Sequence, residues 1–491
     1  MPEAQVLQDQ ARALLREAAL VAGTWVPAGA EAITVDNPAD GSILGRVPKL
    51  SVQEVDEAIA AAAGIFPAWA KAGGRSRGEA LRRWAELVTR HEEGLAALIS
   101  LENGKPWKEA LGEVRYANSF IAWFAGLAEH VDGRTIDGGT GLILAFREPV
   151  GPVAAITPWN FPAAMITRKA AAAFAAGCPV VLKPASATPF TGLALAALAL
   201  EAGVPAPCFS VVTGDSAVVG ARLAESELIR KLSFTGSTQV GRKLAGQCAP
   251  TLKRLSMELG GAAPLIVFDD ADLETAVAGT MVGKFRAAGQ TCVCPNRIYV
   301  QAGIQDAYLE RLAARIAELK VGDPFEPGVE IGPLIDRGGL AKVEDHIART
   351  RAAGGEILVG GGRHARGGLY FQPTLTFGGD EPLFRCEETF GPVCPTFAFE
   401  TEEEALARAN ASEFGLAAFV FTRDLDRALR IGRAIEAGMV GINTGLISDA
   451  ANPFGGVKQS GYGREGSAYG LDDYLQVKSL TLAPSGTTAG R

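Results

Sequence analysis

The segments Val153-Ala-Ala-Ile-Thr157, Val180-Val-Leu-Lys183 and Leu232-Ser-Phe-Thr235-Gly236-Ser237 decide the fold. Each is a short run of β-branched and apolar residues, and an alanine-rich stretch with helical spacing follows each within a few residues. Strands alternating with amphipathic helices indicate a parallel sheet covered on its faces. Ser210–Thr213 and Pro264–Phe268 extend this first series. A second series contains Arg297–Gln301, Ile357–Val359, Pro395–Phe399, Phe419–Thr422 and Met439–Asn443. Between its strands lie helices such as Ile304–Leu319, where Tyr308, Leu312, Ile316 and Leu319 form one stripe. Two successive sets predict two α/β domains with a boundary near Gly260–Gly261. Residues 1–130 read as mostly helical, Gly133–Phe146 as a hairpin, and the tail Ser485–Arg491 as disordered.

With 491 residues the chain is long enough for about three domains and needs no disulfide or metal staples. Its 47 basic and 55 acidic residues leave a formal charge of -8, which argues against nucleic acid or an anionic membrane as the main partner. Seven cysteines without a regular framework suit a reducing compartment with free thiols, and four scattered histidines offer no zinc site. The N-terminal stretch carries Glu3, Asp9 and Glu17 and resembles neither a secretory signal nor a transit peptide, so a cytoplasmic protein is expected. The most apolar window, Ala170–Leu182, falls short of the roughly 20 residues that cross a bilayer.

Gly461-Tyr-Gly463-Arg-Glu-Gly466 matches the glycine pattern of a dinucleotide turn, but no strand precedes it and it reads better as a structural turn. Phe234-Thr-Gly236-Ser237-Thr-Gln-Val-Gly241 is the stronger phosphate candidate, because there a strand ends in glycine and serine just as a helix begins. A plain capped helix would carry the same signature. Cys292, in Gly289-Gln-Thr-Cys292-Val-Cys294-Pro, sits on a loop before a strand. Read alone, it is as consistent with a small buried hydrophobe as with a reactive thiol.

Thr157-Pro-Trp159-Asn160-Phe-Pro162, the Gly236 segment, Glu258-Leu-Gly-Gly261, Gly289-Gln-Thr-Cys292, Glu387-Glu388-Thr-Phe390-Gly-Pro392 and Pro453-Phe454-Gly-Gly456 occur in that order. Together they resemble the aldehyde dehydrogenase superfamily from about Thr24 to Val477. The resemblance implies an α/β fold with a Rossmann-like cofactor domain (1–131 and 149–260), an α/β catalytic domain (261–445), and a small β oligomerisation arm with a C-terminal segment (132–148 and 446–491). It also implies a homodimer or homotetramer.

By the same resemblance Cys292 is the nucleophile, Glu258 the general base, and Asn160 with the Cys292 backbone N–H the oxyanion donors. A thiolate suits aldehyde oxidation because its thiohemiacetal collapses to a thioester that water can cleave. The implied cofactor contacts are Trp159, Lys183, Pro184, Ala185, Ser186, Gly236, Ser237, Gly241, Leu259, Glu388 and Phe390. Many NAD-preferring relatives have glutamate at the position of Ser186, where it repels a 2′-phosphate. The small neutral serine beside Lys183 therefore predicts that NADP is accepted and preferred over NAD.

Arg168, Arg286 and Ser448 match the carboxylate-binding residues of succinate-semialdehyde dehydrogenases, and a guanidinium fork recognises a carboxylate bidentately. Each arginine read singly is also consistent with a structural ion pair. Phe120, Trp123, Phe124 and Phe454 either line the apolar middle of a substrate tunnel or pack as core. The expected substrate is a small aldehyde bearing a carboxylate: succinate semialdehyde, with glutarate semialdehyde, one methylene longer, as the alternative. In some such enzymes a cysteine two after the nucleophile forms a disulfide with it, which makes Cys294 a redox partner by resemblance. A non-catalytic or redox-sensing protein on the same fold would tolerate loss of Cys292, Glu258 or Asn160, and all three are present.

Overall fold

The computed structural model describes residues 4–139 and 141–483. The predicted tail Ser485–Arg491 lies outside the described residues. Val153–Ile156 and Val180–Lys183 are strands buried along their whole length, as expected where helices cover both faces of a sheet. They belong to an eight-stranded sheet whose five central strands are parallel, in the order Phe209–Val211, Val180–Lys183, Val153–Ile156, Lys231–Thr235 and Arg254–Glu258. The chain starts at Val153, builds two strands to one side, then returns to build two on the other. That reversal opens a crevice between the carboxyl ends of Val153–Ile156 and Lys231–Thr235, where ligands bind in open α/β sheets.

A second, seven-stranded sheet runs Glu356–Val359, Thr374–Phe377, Val393–Phe399, Pro295–Gln301, Ala263–Val267, Ala417–Phe421 and Met439–Ile442. All its neighbours are parallel except the first pair. The helix Gln305–Ala317 covers it with Tyr308, Leu312 and Ile316 buried. The chain passes from one sheet to the other at Glu258–Ala263, so Glu258 ends a strand of the first sheet as Ala263 begins one of the second. Arg134–Gly138 and Gly141–Pro149 form the predicted hairpin, and Leu475–Leu482 joins it as a third antiparallel strand. This small sheet exposes Ile136, Leu142, Phe146, Val477, Leu480 and Leu482.

The N-terminal region is less helical than its sequence suggests. Ala18–Val21 and Thr24–Pro27 form a hairpin on the edge of the first sheet, and Ala32–Asp36 pairs with Ile43–Pro48. These strands are four to six residues long, too short to stand out as β-branched runs; Ala18–Val21 is largely buried, whereas Thr24–Pro27 is not. Gly461–Tyr462 is an antiparallel strand on the far edge of the first sheet, against Met257 and Glu258, and not a phosphate turn. Among the described residues no helix is long and apolar enough to cross a membrane.

Candidate active site

The crevice is a cavity of about 580 Å³. Trp159 and Asn160 enter it from the loop after Val153–Ile156, Gly236 and Ser237 from the loop after Lys231–Thr235, and Lys183, Ala185 and Ser186 from the end of the neighbouring strand. Glu258 and Leu259 close one side, and Cys292, Glu388 and Phe390 come from the second half of the chain. Asn160, Glu258 and Cys292, more than 130 residues apart at the extremes, thus share one cavity. Pro184 and Gly241 stand behind its wall: the Pro184 carbonyl accepts from Lys183 Nζ at 3.2 Å, and Gly241 packs flat against Leu259.

The backbone around Cys292 is bent to present the thiol. Ala287, Ala288 and Gly289 follow one another at φ 51°, 54° and 74°, a left-handed run that side chains seldom adopt and that the surroundings must enforce. Glu109 accepts the Ala287 N–H at 2.8 Å, and the Gln290 side chain bridges the Ala287 carbonyl (3.2 Å) and the Ile335 N–H (3.0 Å). A Cβ on Gly261 would stand 2.6 Å from the Cys292 carbonyl oxygen, so the crossing point between the sheets rests directly on the Cys292 backbone.

Asn160 is buried and donates one amide hydrogen to the Gln290 carbonyl at 3.0 Å, leaving the second free for another acceptor. Its own carbonyl accepts from Lys105 Nζ at 2.9 Å, and Asn103 donates to the Trp159 carbonyl at 2.9 Å. Lys105 pairs with the buried Glu113, whose other oxygen accepts the Ala163 N–H at 2.8 Å. One segment, Asn103–Glu113, therefore grips both the Asn160 loop and the Cys292 loop.

The electrostatics set proton positions. Both oxygens of the buried Glu258 carboxylate lack a hydrogen-bond partner among the described residues. Burial, reinforced by the charge of Glu465, pushes this carboxyl well above its ordinary range. Burial likewise pushes the Cys292 thiol up to about 12, with Arg168 opposing. Burial would raise Glu465 too, but Arg168 and Lys169 outweigh it and hold the carboxyl below its usual range. Glu388, which accepts the Gly261 N–H at 2.8 Å, is raised to about 7 by burial.

A second cavity, of about 600 Å³, is lined by Arg286, Ser448, Tyr116, Glu109, Phe161 and Phe285 among others. Arg286 makes no ion pair within 4 Å among the described residues, and its guanidinium lies 5.3 Å from the Phe161 ring centroid. Arg168 differs from the expectation of a guanidinium free for substrate. It is fully buried, pairs with Glu465, and carries the Phe454 and Phe120 rings 4.1 and 6.0 Å from its Cζ. Phe120, Phe124 and Phe454 are core residues. Cys294 is buried, its Sγ directed at the Lys284 and Pro295 carbonyls, and burial raises its thiol.

Sequence reading passed over Glu465 and Lys169. Glu465 lay inside the glycine-rich stretch set aside as a turn, and Lys169 stood beside Arg168 in plain view. Glu109, Glu113 and Tyr116 were also missed. Glu113 carried a signal, an acid on the apolar stripe Ala110, Val114, Ala117, Phe120.

The cavity fits a dinucleotide. A Cβ on Gly236 would stand 2.5 Å from the Phe234 ring, so only glycine leaves the wall open at the start of the helix Thr238–Cys248. Lys183 is a buried ammonium that donates only to its neighbour's carbonyl among the described residues, and burial pushes it down to about 8 against Asp215.

Comparisons with known proteins agree with this geometry. The aldehyde dehydrogenase family matches residues 25–480. A succinate-semialdehyde dehydrogenase [NADP(+)] of Escherichia coli is 52% identical over 96% of this chain and 98% of its own. A glutarate-semialdehyde dehydrogenase of Pseudomonas aeruginosa is 50% identical with the same coverage. The crystal structure of succinate-semialdehyde dehydrogenase from Burkholderia pseudomallei superposes with a TM-score of 0.95 at 50% identity, covering 96% of this chain and 98% of that one. The chain belongs to the aldehyde dehydrogenase family.

Proposed function

We propose that the protein oxidises succinate semialdehyde to succinate, with NADP as the preferred acceptor, and that Cys292, Glu258 and Asn160 carry the chemistry. The observation that carries the substrate reading is Arg286, which has no ion pair within 4 Å among the described residues and lines a cavity together with Phe161, Phe285, Glu109 and Ser448. Ser448 lines the same cavity and adds a hydroxyl donor. A substrate carboxylate docked there would give Arg286 a direct ion-pair partner. Arg168, already balanced by Glu465, contributes positive field near Cys292 in place of a free fork.

In this reading Glu258 takes the proton that the Cys292 thiol, raised to about 12, does not release unaided. The thiolate adds to the aldehyde carbon, and the oxyanion takes hydrogen bonds from the second Asn160 amide hydrogen and the Cys292 N–H. A bound nicotinamide dinucleotide supplies the hydride acceptor, held by Lys183, Ser186, Ser237 and Glu388. Glu258, once it has released that first proton to solvent, withdraws a proton from the water that cleaves the thioester and passes it to the departing Cys292 sulfur, releasing the acid and restoring the thiol.

The chain divides, on the same reading, into a cofactor domain (1–131 and 149–260), a catalytic domain (261–445) and an arm, and a second copy covers the exposed apolar residues of the three-stranded sheet. Glutarate semialdehyde is the alternative substrate, because a methylene distinguishes such a pair by only about 1–3 kcal/mol. The test is kcat/KM for succinate semialdehyde, glutarate semialdehyde and butanal, each with NAD and NADP. Succinate semialdehyde with NADP is expected to lead, and butanal performing as well as the acids would defeat the assignment.

A further inference from the structure

The helix Trp107–Leu127 turns Glu109, Glu113 and Tyr116 toward the site at positions i, i+4 and i+7. The first two have partners: Glu109 holds the Ala287 N–H at 2.8 Å, and Glu113 holds Lys105 and the Ala163 N–H. Tyr116 does not. Its phenol oxygen is shielded from solvent and, with Ser448 and Arg168 beside it, makes no hydrogen bond of good geometry among the described residues. It lines the second cavity with Arg286 and Ser448, and Arg168 also faces it. Its ring is fixed edge-on against Phe120, with centroids 4.8 Å apart. A buried hydroxyl left unpaired costs about as much as a lost hydrogen bond, so its retention points to an acceptor that arrives with a ligand.

We propose that Tyr116 is a specificity-determining residue, whose hydroxyl donates to the substrate carboxylate that Arg286 and Ser448 bind. The assignment rests on the carboxylated-aldehyde reading above and sharpens it. Two carboxylate oxygens offer about four lone-pair sites, which a guanidinium fork, a serine and a phenol can share. Burial pushes the phenol up, so it remains a neutral donor and adds no competing anion. The tyrosine ring is rigid and packed, so its hydroxyl fixes how far from Cys292 an acid can sit. A neutral aldehyde gains nothing from it.

The test is Tyr116→Phe, which keeps the ring against Phe120. With saturating cofactor, KM for succinate semialdehyde is expected to rise about ten- to hundredfold, the range of a hydrogen bond to a charged group. kcat should stay within about threefold, and the competitive inhibition constant of succinate should rise in parallel. kcat/KM for butanal, which also reports correct folding, should be unchanged. Equal losses on butanal and succinate semialdehyde would show a merely structural role and overturn the assignment. A parent enzyme that prefers the acid, with a variant that keeps the same preference, would overturn it alone. A parent without that preference would remove the carboxylated-aldehyde reading and this assignment with it.

Discussion

Ser186→Glu tests the cofactor reading where it is most exposed to refutation. Ser186 Oγ lies 3.5 Å from Ser216 Oγ, and the residue lines the cavity close to Lys183. A 2′-phosphate placed there carries a charge of about -1.5 to -2. A glutamate carboxylate about 6 Å from it, in half-exposed surroundings with an effective dielectric of about 40, repels each unit of charge by roughly 1.4 kcal/mol. The sum, about 2–3 kcal/mol, corresponds to a loss of roughly 30- to 150-fold in kcat/KM for NADP. NAD lacks the phosphate and gains an acceptor for its ribose hydroxyls, so its kcat/KM should hold or improve. The assay follows nicotinamide reduction at saturating succinate semialdehyde over a range of each dinucleotide. The NADP/NAD ratio should fall by about two orders of magnitude. An unchanged ratio, or a parent enzyme with a hundredfold preference for NAD, would refute the argument.

Asn160→Ala removes one of the two proposed oxyanion donors and should lower kcat about 10²–10³-fold with little change in KM, measured by steady-state kinetics. Glu465→Gln leaves Arg168 and Lys169 buried without their anion and should cost about 3–5 kcal/mol in urea denaturation at neutral pH. Because the folded-state carboxyl is held below its ordinary value, that contribution exists above the unfolded value and fades as pH falls through the lowered one, so the gap between parent and variant should narrow in acid. The same variant removes a negative charge that raises Glu258, so the acid limb of the kcat–pH profile should move to lower pH; an upward shift would contradict the assigned coupling. Inactivation by peroxide should be reversed by dithiothreitol in the parent, whereas equal sensitivity of Cys294→Ala would exclude the disulfide with Cys292.

The two parallel sheets were legible because a strand buried on both faces is an uninterrupted apolar run. Val180–Lys183 has the same limits in sequence and structure, and Val153–Ile156, Phe209–Val211 and Lys231–Thr235 differ by one or two residues, whereas Arg254–Glu258 was not foreseen. Ala18–Val21 and Ile43–Pro48 lacked that signal, because each is short and holds only one or two β-branched residues. Cys292, Glu258 and Asn160 stood out through their neighbours in sequence. Arg168 shows the limit of that method. Its residue type suits a carboxylate, but which carboxylate it meets depends on Glu465, 297 positions away, and only the folded chain puts the two together. Tyr116 belongs to no sequence motif, and only the folded chain places its hydroxyl at the cavity of Arg286 and Ser448.

Glu465 also has a meaning in time. Ribosomes deliver Arg168 and Lys169 some 300 residues before the acid that balances them. Until that acid arrives, the helix Ala164–Ala176 must settle with two uncompensated cations in its interior. A chain that has not yet reached Glu465 would thus keep this region loosely held, however much of the first sheet had formed.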